Sequence, residues 1–287
     1  MPERPSIAQE LAEAEGRLER SGVSDARREA TALWAAVAQV TPGAVWLRRA
    51  GEAAQPLAER FWEAVQRRSS GMPFPYAVGR VAFRSLELAS DARALIPRPE
   101  TEGLVDLVLE WGNGGVAADI GTGCGCIALA LATEGRFERV IAVERSPGAA
   151  ALARENVALV GPRTPVEVRE GDLLEPLAGE RCRVIVSNPP YLTEDEYQAL
   201  APSVRQFEPR EALVSGPDGL AATRALFADA AARLEPGGVL VLEIDERRGD
   251  AVRALALTED DRWARIAIHH DVFGRPRYAL AFPREAE

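Results

Sequence analysis

Apolar positions recur with two different periods along the chain, and the change comes near residue 76. Ile7, Leu11, Ala14 and Leu18 share one face of a helix, and Ser6 with Gln9 has the spacing of a capping box at its start. A second helix is expected after Ser24, with Asp25 in its first turn and Leu33, Trp34 and Val37 on its apolar side. A third is expected over about 56–68, stopped before Gly71. Three of the five tryptophans, Trp34, Trp46 and Trp62, lie in this stretch, either as the core of a small bundle or as a docking surface. From Tyr76 to about Leu95 the pattern turns to short alternation, "YAVGRVAFRSLELA", as a hairpin would.

Beyond that point strands and helices alternate. Strands are expected over 116–120, 140–144, 166–169, 183–187, 239–244, 266–269 and 278–282, with amphipathic segments between the first five. That succession predicts a parallel α/β sheet. The layout is a helical N-terminal domain over 1–75, a hairpin linker over 76–95 and an α/β domain over 96–287.

The 287 residues are 47% apolar and 27% charged, with no apolar run near the length of a membrane span. "MPERPSIAQEL" lacks the apolar centre of a signal peptide, so the cytoplasm is the expected compartment. Cys124, Cys126 and Cys182 with His269 and His270 offer neither a disulfide framework nor a metal-binding set. The net charge of −10 argues against a direct nucleic-acid partner, which relies on clustered cations. The first 80 residues are nearly balanced, eleven arginines against ten acids, so the deficit lies beyond residue 80.

Candidate chemistry begins at "VAADIGTGCGCIALALA". Gly121, Gly123 and Gly125 form G-x-G-x-G, and the dinucleotide pattern G-x-G-x-x-G fails at Cys126. A phosphate-free ligand still needs the close backbone approach that glycine permits. Glu144, at the end of the next strand, can accept both hydroxyls of a ribose, Asp172 after the third can accept from an adenine amino group, and Leu173 can pack on the base. Acids at successive strand ends describe an adenosyl ligand, and S-adenosylmethionine fits better than NAD because nothing cradles phosphates. Cys124 and Cys126 read as small filling residues.

"RVIVSNPPYLT" then ends the fourth strand, expected beside the first, in an asparagine, two prolines and a tyrosine. A planar NH₂ group is a poor nucleophile because its lone pair is delocalised, the resonance behind a peptide rotation barrier of about 18–20 kcal/mol. Asn188 Oδ1 and the Pro189 carbonyl can hold its two N–H bonds and aim the nitrogen at a methyl sulfonium. Pro190 stiffens the backbone and has no competing N–H, and Tyr191 can stack on the planar group. No histidine base is needed, and His269 and His270 read as structural.

These residues, with "RRSSGMPFPYAVGRVAF", "LIPRPETE", "GDLLEPL", "FEPREALVSGPDGL" and "LEPGGVLVLEI", make the chain resemble the release factor glutamine methyltransferase family of the HemK/PrmC type over nearly its full length. The resemblance implies a class I S-adenosylmethionine-dependent methyltransferase fold, a seven-stranded, mostly parallel sheet, with a small helical N-terminal domain. It implies methylation of the side-chain amide nitrogen of the glutamine in the Gly-Gly-Gln loop of class 1 release factors. By position, Asp119 and the loop Gly121, Thr122, Gly123, Cys124 and Gly125 would contact the cofactor, as would Glu144, Asp172, Leu173 and Asn188. Asn188, Pro189, Pro190 and Tyr191 would bind the glutamine, with Asn188, Pro189 and Tyr191 catalytic. Glu144 stands where aspartate is usual, and Leu173 where an aromatic can occur. The alternative is an adenine-N6 or guanine-N2 nucleic-acid methyltransferase using the same four residues, which would need a basic surface and a flipped base. A non-catalytic cofactor sensor would not need amide acceptors at the methyl end.

Overall fold

Ser6 opens α1 (Ile7–Arg20) through the reciprocal cap its spacing predicts: Gln9 N donates to Ser6 Oγ, and Ser6 N donates to Gln9 Oε1. The computed structural model describes residues 4–258 and 262–284. Helix α2 (Ala26–Ala38) starts later than expected, because Asp25 lies outside it at φ 51°, in the left-handed region that aspartate tolerates. Two short helices escaped the periodicity. One is α3 (Pro42–Arg48), capped by Thr41 with proline at its first position; the other is α5 (Phe74–Val78), after α4 (Gln55–Ser69). Both are too short to show a repeating apolar face.

One compact unit comprises the chain up to Arg80 together with α10 (Pro202–Phe207). Its core holds Leu18, Leu33, Trp34, Phe61 and Val65, with the Trp34 and Phe61 rings edge to face at 4.8 Å. Trp62 is partly buried and donates its indole N–H to Glu10. Trp46 is 59% exposed, with the Arg49 guanidinium over its ring.

The second unit runs from Val81 to Ala201 and from Glu208 onward. Tyr76 belongs to α5 rather than to the hairpin, which comprises β1 (Arg80–Phe83) and β2 (Leu86–Ala89). At the turn Arg84 has φ 52°; its N–H donates to Glu102 and its guanidinium to Glu134. The other elements are α6 (Pro99–Trp111), β3 (Val116–Ile120), α7 (Cys126–Glu134), β4 (Arg139–Glu144), α8 (Pro147–Val160), β5 (Val166–Glu170), β6 (Cys182–Ser187) and α9 (Glu194–Gln198). They are completed by α11 (Ala221–Ala230), β7 (Leu234–Glu243), α12 (Gly249–Thr258), β8 (Trp263–His270) and β9 (Pro276–Pro283).

All seven expected strands form one sheet in the order β5-β4-β3-β6-β7-β9-β8; the first five are parallel, and β9 is antiparallel to β7 and β8. Alternation sorts each strand between two cores. Ala117, Val140, Ala142, Val184 and Val186 pack with Leu104, Leu129 and Leu152 of α6, α7 and α8. Ala118, Ile141, Val143 and Ile185 pack on the other face with Leu226, Phe227 and Val252 of α11 and α12. With helices on both faces, the C-terminal ends of the parallel strands are where such a sheet offers a crevice to a ligand. No single described helix is long and apolar enough to cross a membrane.

Candidate active site

The winding reverses between β3 and β6, which lie side by side in the sheet. At their C-terminal ends is a cavity of about 390 Å³, within the range of small-ligand sites. Its lining includes Gly121 and Gly123 after β3, Glu144 ending β4, Asp172 and Leu173 after β5, and Asn188 and Pro190 after β6. Four strand ends therefore bring together residues separated by up to some seventy positions.

Gly121 and Gly123 have φ of 72° and 58°, which explains why the loop needs glycine. A Cβ at Gly121 would meet no atom within 4 Å, so the space beside that backbone is open. Asp119, Thr122, Cys124 and Gly125, expected as cofactor contacts, do not line the cavity. The loop turns them inward: Asp119 is 0% exposed, and Thr122 and Cys124 are 3% exposed. They form its frame. Asp119 Oδ2 accepts from Thr122 Oγ1 and, at 3.0 Å, from Ala128 N, while Cys124 O accepts from Asn156 Nδ2 at 2.9 Å. Burial pushes the Asp119 carboxyl up to about 7, against the pull of those two bonds, and its Oδ1 has no partner. Cys124 and Cys126 are buried thiols, and their mutual hydrogen bond holds the Cys126 thiol well above its usual range.

Glu144 divides its oxygens between two loops. Oε2 accepts from Gly123 N at 2.9 Å and Oε1 from Ser146 N at 2.8 Å. Each oxygen keeps a lone pair for a further donor. Asp172 is 4.0 Å from Arg145, and more than half of its side chain is exposed. Leu173 sits at φ 44°, a strained conformation for leucine of the kind found at ligand sites.

Asn188 Nδ2 donates to Thr101 Oγ1 at 3.1 Å, and Thr101 Oγ1 donates to Glu243 Oε2 at 2.8 Å. Thr101 and Glu243 are both buried, and burial pushes the Glu243 carboxyl up to about 7. Asn188 and Pro190 reach the cavity; Pro189 is buried behind them and Tyr191 is partly buried outside the lining. Burial, with the nearby Glu243 carboxylate, raises the Tyr191 phenol well above its ordinary value, so it stays protonated.

Sequence reasoning missed Thr101, Glu243, Arg98 and Glu208. Arg98 NH2 lies 2.7 and 2.9 Å from the two oxygens of buried Glu208, whose Oε2 also accepts from Ile96 N. This pair joins "IPRPETE" to "FEPREAL". The available signal was Glu243 itself, a carboxylate ending the buried strand "VLVLE".

Residues 9–79 match the PrmC N-terminal domain, and residues 101–206 match the methyltransferase small domain. The chain is 40% identical over 283 residues to the release factor glutamine methyltransferase of Moorella thermoacetica, covering 98% of this chain and 99% of that one. It is 40% identical over 275 residues to the enzyme of the same name in Deinococcus radiodurans, covering 94% and 96%. A methyltransferase from Pyrococcus furiosus shares the fold, with TM-score 0.54 at 20% identity over 76% of this chain and 98% of that one. Identity at this level from end to end, with the glycine loop and the asparagine at adjoining strand ends, shows that the chain belongs to the release factor glutamine methyltransferase family.

Proposed function

We propose that the protein methylates the side-chain amide nitrogen (N5) of the glutamine in the Gly-Gly-Gln motif of class 1 peptide chain release factors, in the cytoplasm, using S-adenosylmethionine. The observation that carries this reading is the Asn188 amide, held at the cavity with Nδ2 on Thr101 and Oδ1 as its other end.

The residues present fit the cofactor. The backbone at Gly121 borders open space in the cavity, with no atom within 4 Å of where a Cβ would lie, and the Glu144 carboxylate beside it keeps a lone pair on each oxygen for a ligand's donors. Glu144 would hold the ribose, Asp172 the adenine amino group, Leu173 the base and the backbone at Gly121 and Gly123 the methionyl part. When bound, S-adenosylmethionine supplies an electrophilic methyl group on a sulfonium.

The protein's task is then positional. Asn188 Oδ1 and the Pro189 carbonyl accept the two N–H bonds of the glutamine amide and direct its nitrogen lone pair. Pro190 keeps that backbone stiff, and Tyr191, as a neutral phenol, packs on the planar group or donates to its carbonyl oxygen. The proton leaves as the bond forms or afterwards. His269 and His270 are on β8 at the edge of the sheet, three strands from β6, and take no part. In this reading residues 1–75 dock the release factor and 76–95 link that domain to the catalytic one.

The test is mass spectrometry of purified release factors incubated with the protein and methyl-labelled cofactor. One methyl group on the Gly-Gly-Gln glutamine is expected, with a folded factor used far better than a short peptide because remote contacts position the side chain. Equal kcat/KM for factor and peptide would sink the docking role. Methylation of DNA or ribosomal RNA with none of a release factor would overturn the reading.

A further inference from the structure

The Asn188–Thr101–Glu243 chain has a direction, and the direction has a consequence for chemistry. A carboxylate offers only acceptors, a hydroxyl has a single proton, and an asparagine amide has a donor end and an acceptor end of nearly equal size. Thr101 Oγ1 gives its proton to Glu243 Oε2 at 2.8 Å, which leaves the hydroxyl only lone pairs toward Asn188. The end of Asn188 facing Thr101 must therefore be the NH₂, and Nδ2 is there at 3.1 Å. Oδ1 is left for the substrate. A flipped Asn188 would turn its NH₂ toward the substrate NH₂, donor against donor, and its oxygen toward a hydroxyl whose proton is already given away.

We propose that Thr101 and Glu243 are positioning residues that fix the flip of the Asn188 amide, so that its oxygen meets the glutamine nitrogen while Glu243 is ionised. The proposal rests on Asn188 accepting from the substrate amide, as in the proposed function. Thr101 lies near the start of α6, Asn188 after β6 and Glu243 at the end of β7, so the lock is assembled only when the helix packs against the sheet. Arg98, at the N-cap of α6, and Arg277 on β9 favour the ionised carboxylate of Glu243, whereas Glu100 opposes it. Tyr191 and Tyr278 also face it, and both phenols are raised and remain neutral. Burial places the Glu243 carboxyl near 7, so a fall in pH turns it into a donor. Thr101 is then no longer bound to give its proton away, and the lock loosens on the acid side.

Three variants test this in single-turnover methyl transfer at saturating cofactor and release factor, with thermal unfolding as the folding control. Thr101→Val keeps the shape and removes the hydroxyl; it should lower the rate about tenfold, the loss of roughly one hydrogen bond's orienting effect, with cofactor KM unchanged. Thr101→Ser restores the hydroxyl and should recover most of the rate. Glu243→Gln can donate or accept at any pH, so it should be slower than wild type at neutral pH and lack the wild-type fall on the acid side. A folded Thr101→Val at the wild-type rate, or Thr101→Ser as slow as Thr101→Val, would overturn the proposal. If Thr101→Val does not fold, Glu243→Gln decides, and an acid limb identical to wild type refutes the lock. A wild-type protein that leaves release factors unmethylated would instead strike the proposed function.

Discussion

Glu144 Oε2 lies 2.9 Å from the backbone nitrogen of Gly123, so the acid ending β4 grips the glycine loop after β3. The same side chain reaches Ser146 N with its other oxygen. A glutamate in place of the family's usual aspartate is thus long enough to tie two loops while keeping lone pairs for a ligand. Glu144→Ala should weaken S-adenosylmethionine binding by about 1.5–3 kcal/mol, the range for hydrogen bonds to charged groups. Glu144→Asp should fall between it and wild type, being too short for both loops at once. Unchanged affinity in calorimetry would remove Glu144 from the ribose site.

Asp119 makes stability depend on pH with a defined sign. Its carboxyl titrates at 3.8 when unperturbed and about 7 in the folded protein. Between those values the folded state holds a proton that the unfolded chain has lost. Its contribution is therefore full below the lower value and is lost as pH rises through the higher one. Asp119→Asn has no such titration and retains an acceptor for Ala128 N. Its melting temperature relative to wild type should rise from acid to neutral pH. Glu243 titrates in a similar window with the same sign, so the comparison must be between proteins. Parallel curves would mean that Asp119 titrates normally.

Leu173 combines a strained backbone with a place in the cavity wall. Leu173→Phe should tighten cofactor binding by about 0.5–1.5 kcal/mol if the side chain covers the base, the usual gain of an aromatic contact over its area alone. Leu173→Gly should weaken binding without lowering the melting temperature, because glycine accepts the left-handed conformation. Equal affinities in all three proteins would place the base elsewhere.

Asn188→Ala should reduce the methyl-transfer rate by roughly 10²–10³, or about 2.7–4 kcal/mol, as expected for loss of one preorganised polar group. From the sequence, Asn188→Asp reads as the milder change because an acceptor remains. The structure reverses that order of concern. A carboxylate there would face Thr101 Oγ1, whose proton already goes to Glu243, and would add a second buried anion nearby. Asn188→Asp should therefore be at least as slow as Asn188→Ala at neutral pH and recover partly in acid. A near wild-type rate for Asn188→Ala would reduce Asn-Pro-Pro-Tyr to a strand terminator.

Trp34 and Trp46 should separate stability from docking. Trp34→Ala removes a buried ring against Phe61 and should destabilise the N-terminal unit by about 3–5 kcal/mol. Trp46→Ala should leave the melting temperature nearly unchanged and raise KM for the release factor but not for a glutamine peptide. An unchanged KM for the factor would take Trp46 out of the docking surface.

The sheet was legible because its information is local. A buried parallel strand is a short apolar run, and crossover helices separate the runs, so all seven strands could be located before any contact was known. The residues at strand ends were legible for the same reason: Gly121, Gly123, Glu144, Asp172, Leu173 and Asn188 each follow or end such a run and all line the cavity. Which way a loop residue turns is not local. Asp119, Thr122 and Cys124 read as cofactor contacts in a glycine loop, yet its left-handed residues fold them under it, where only packing against α7 and α8 decides their exposure. Trp34 and Trp46 likewise look alike in sequence, and burial in the bundle tells them apart. Thr101 shows the limit most clearly. It is 87 residues from Asn188 and 142 from Glu243, and no periodicity links the three. Each hydrogen bond exists because α6 packs on the face of the sheet with its first turn at the ends of β6 and β7, and helix packing is set by side-chain volumes from the whole core, which no local pattern encodes.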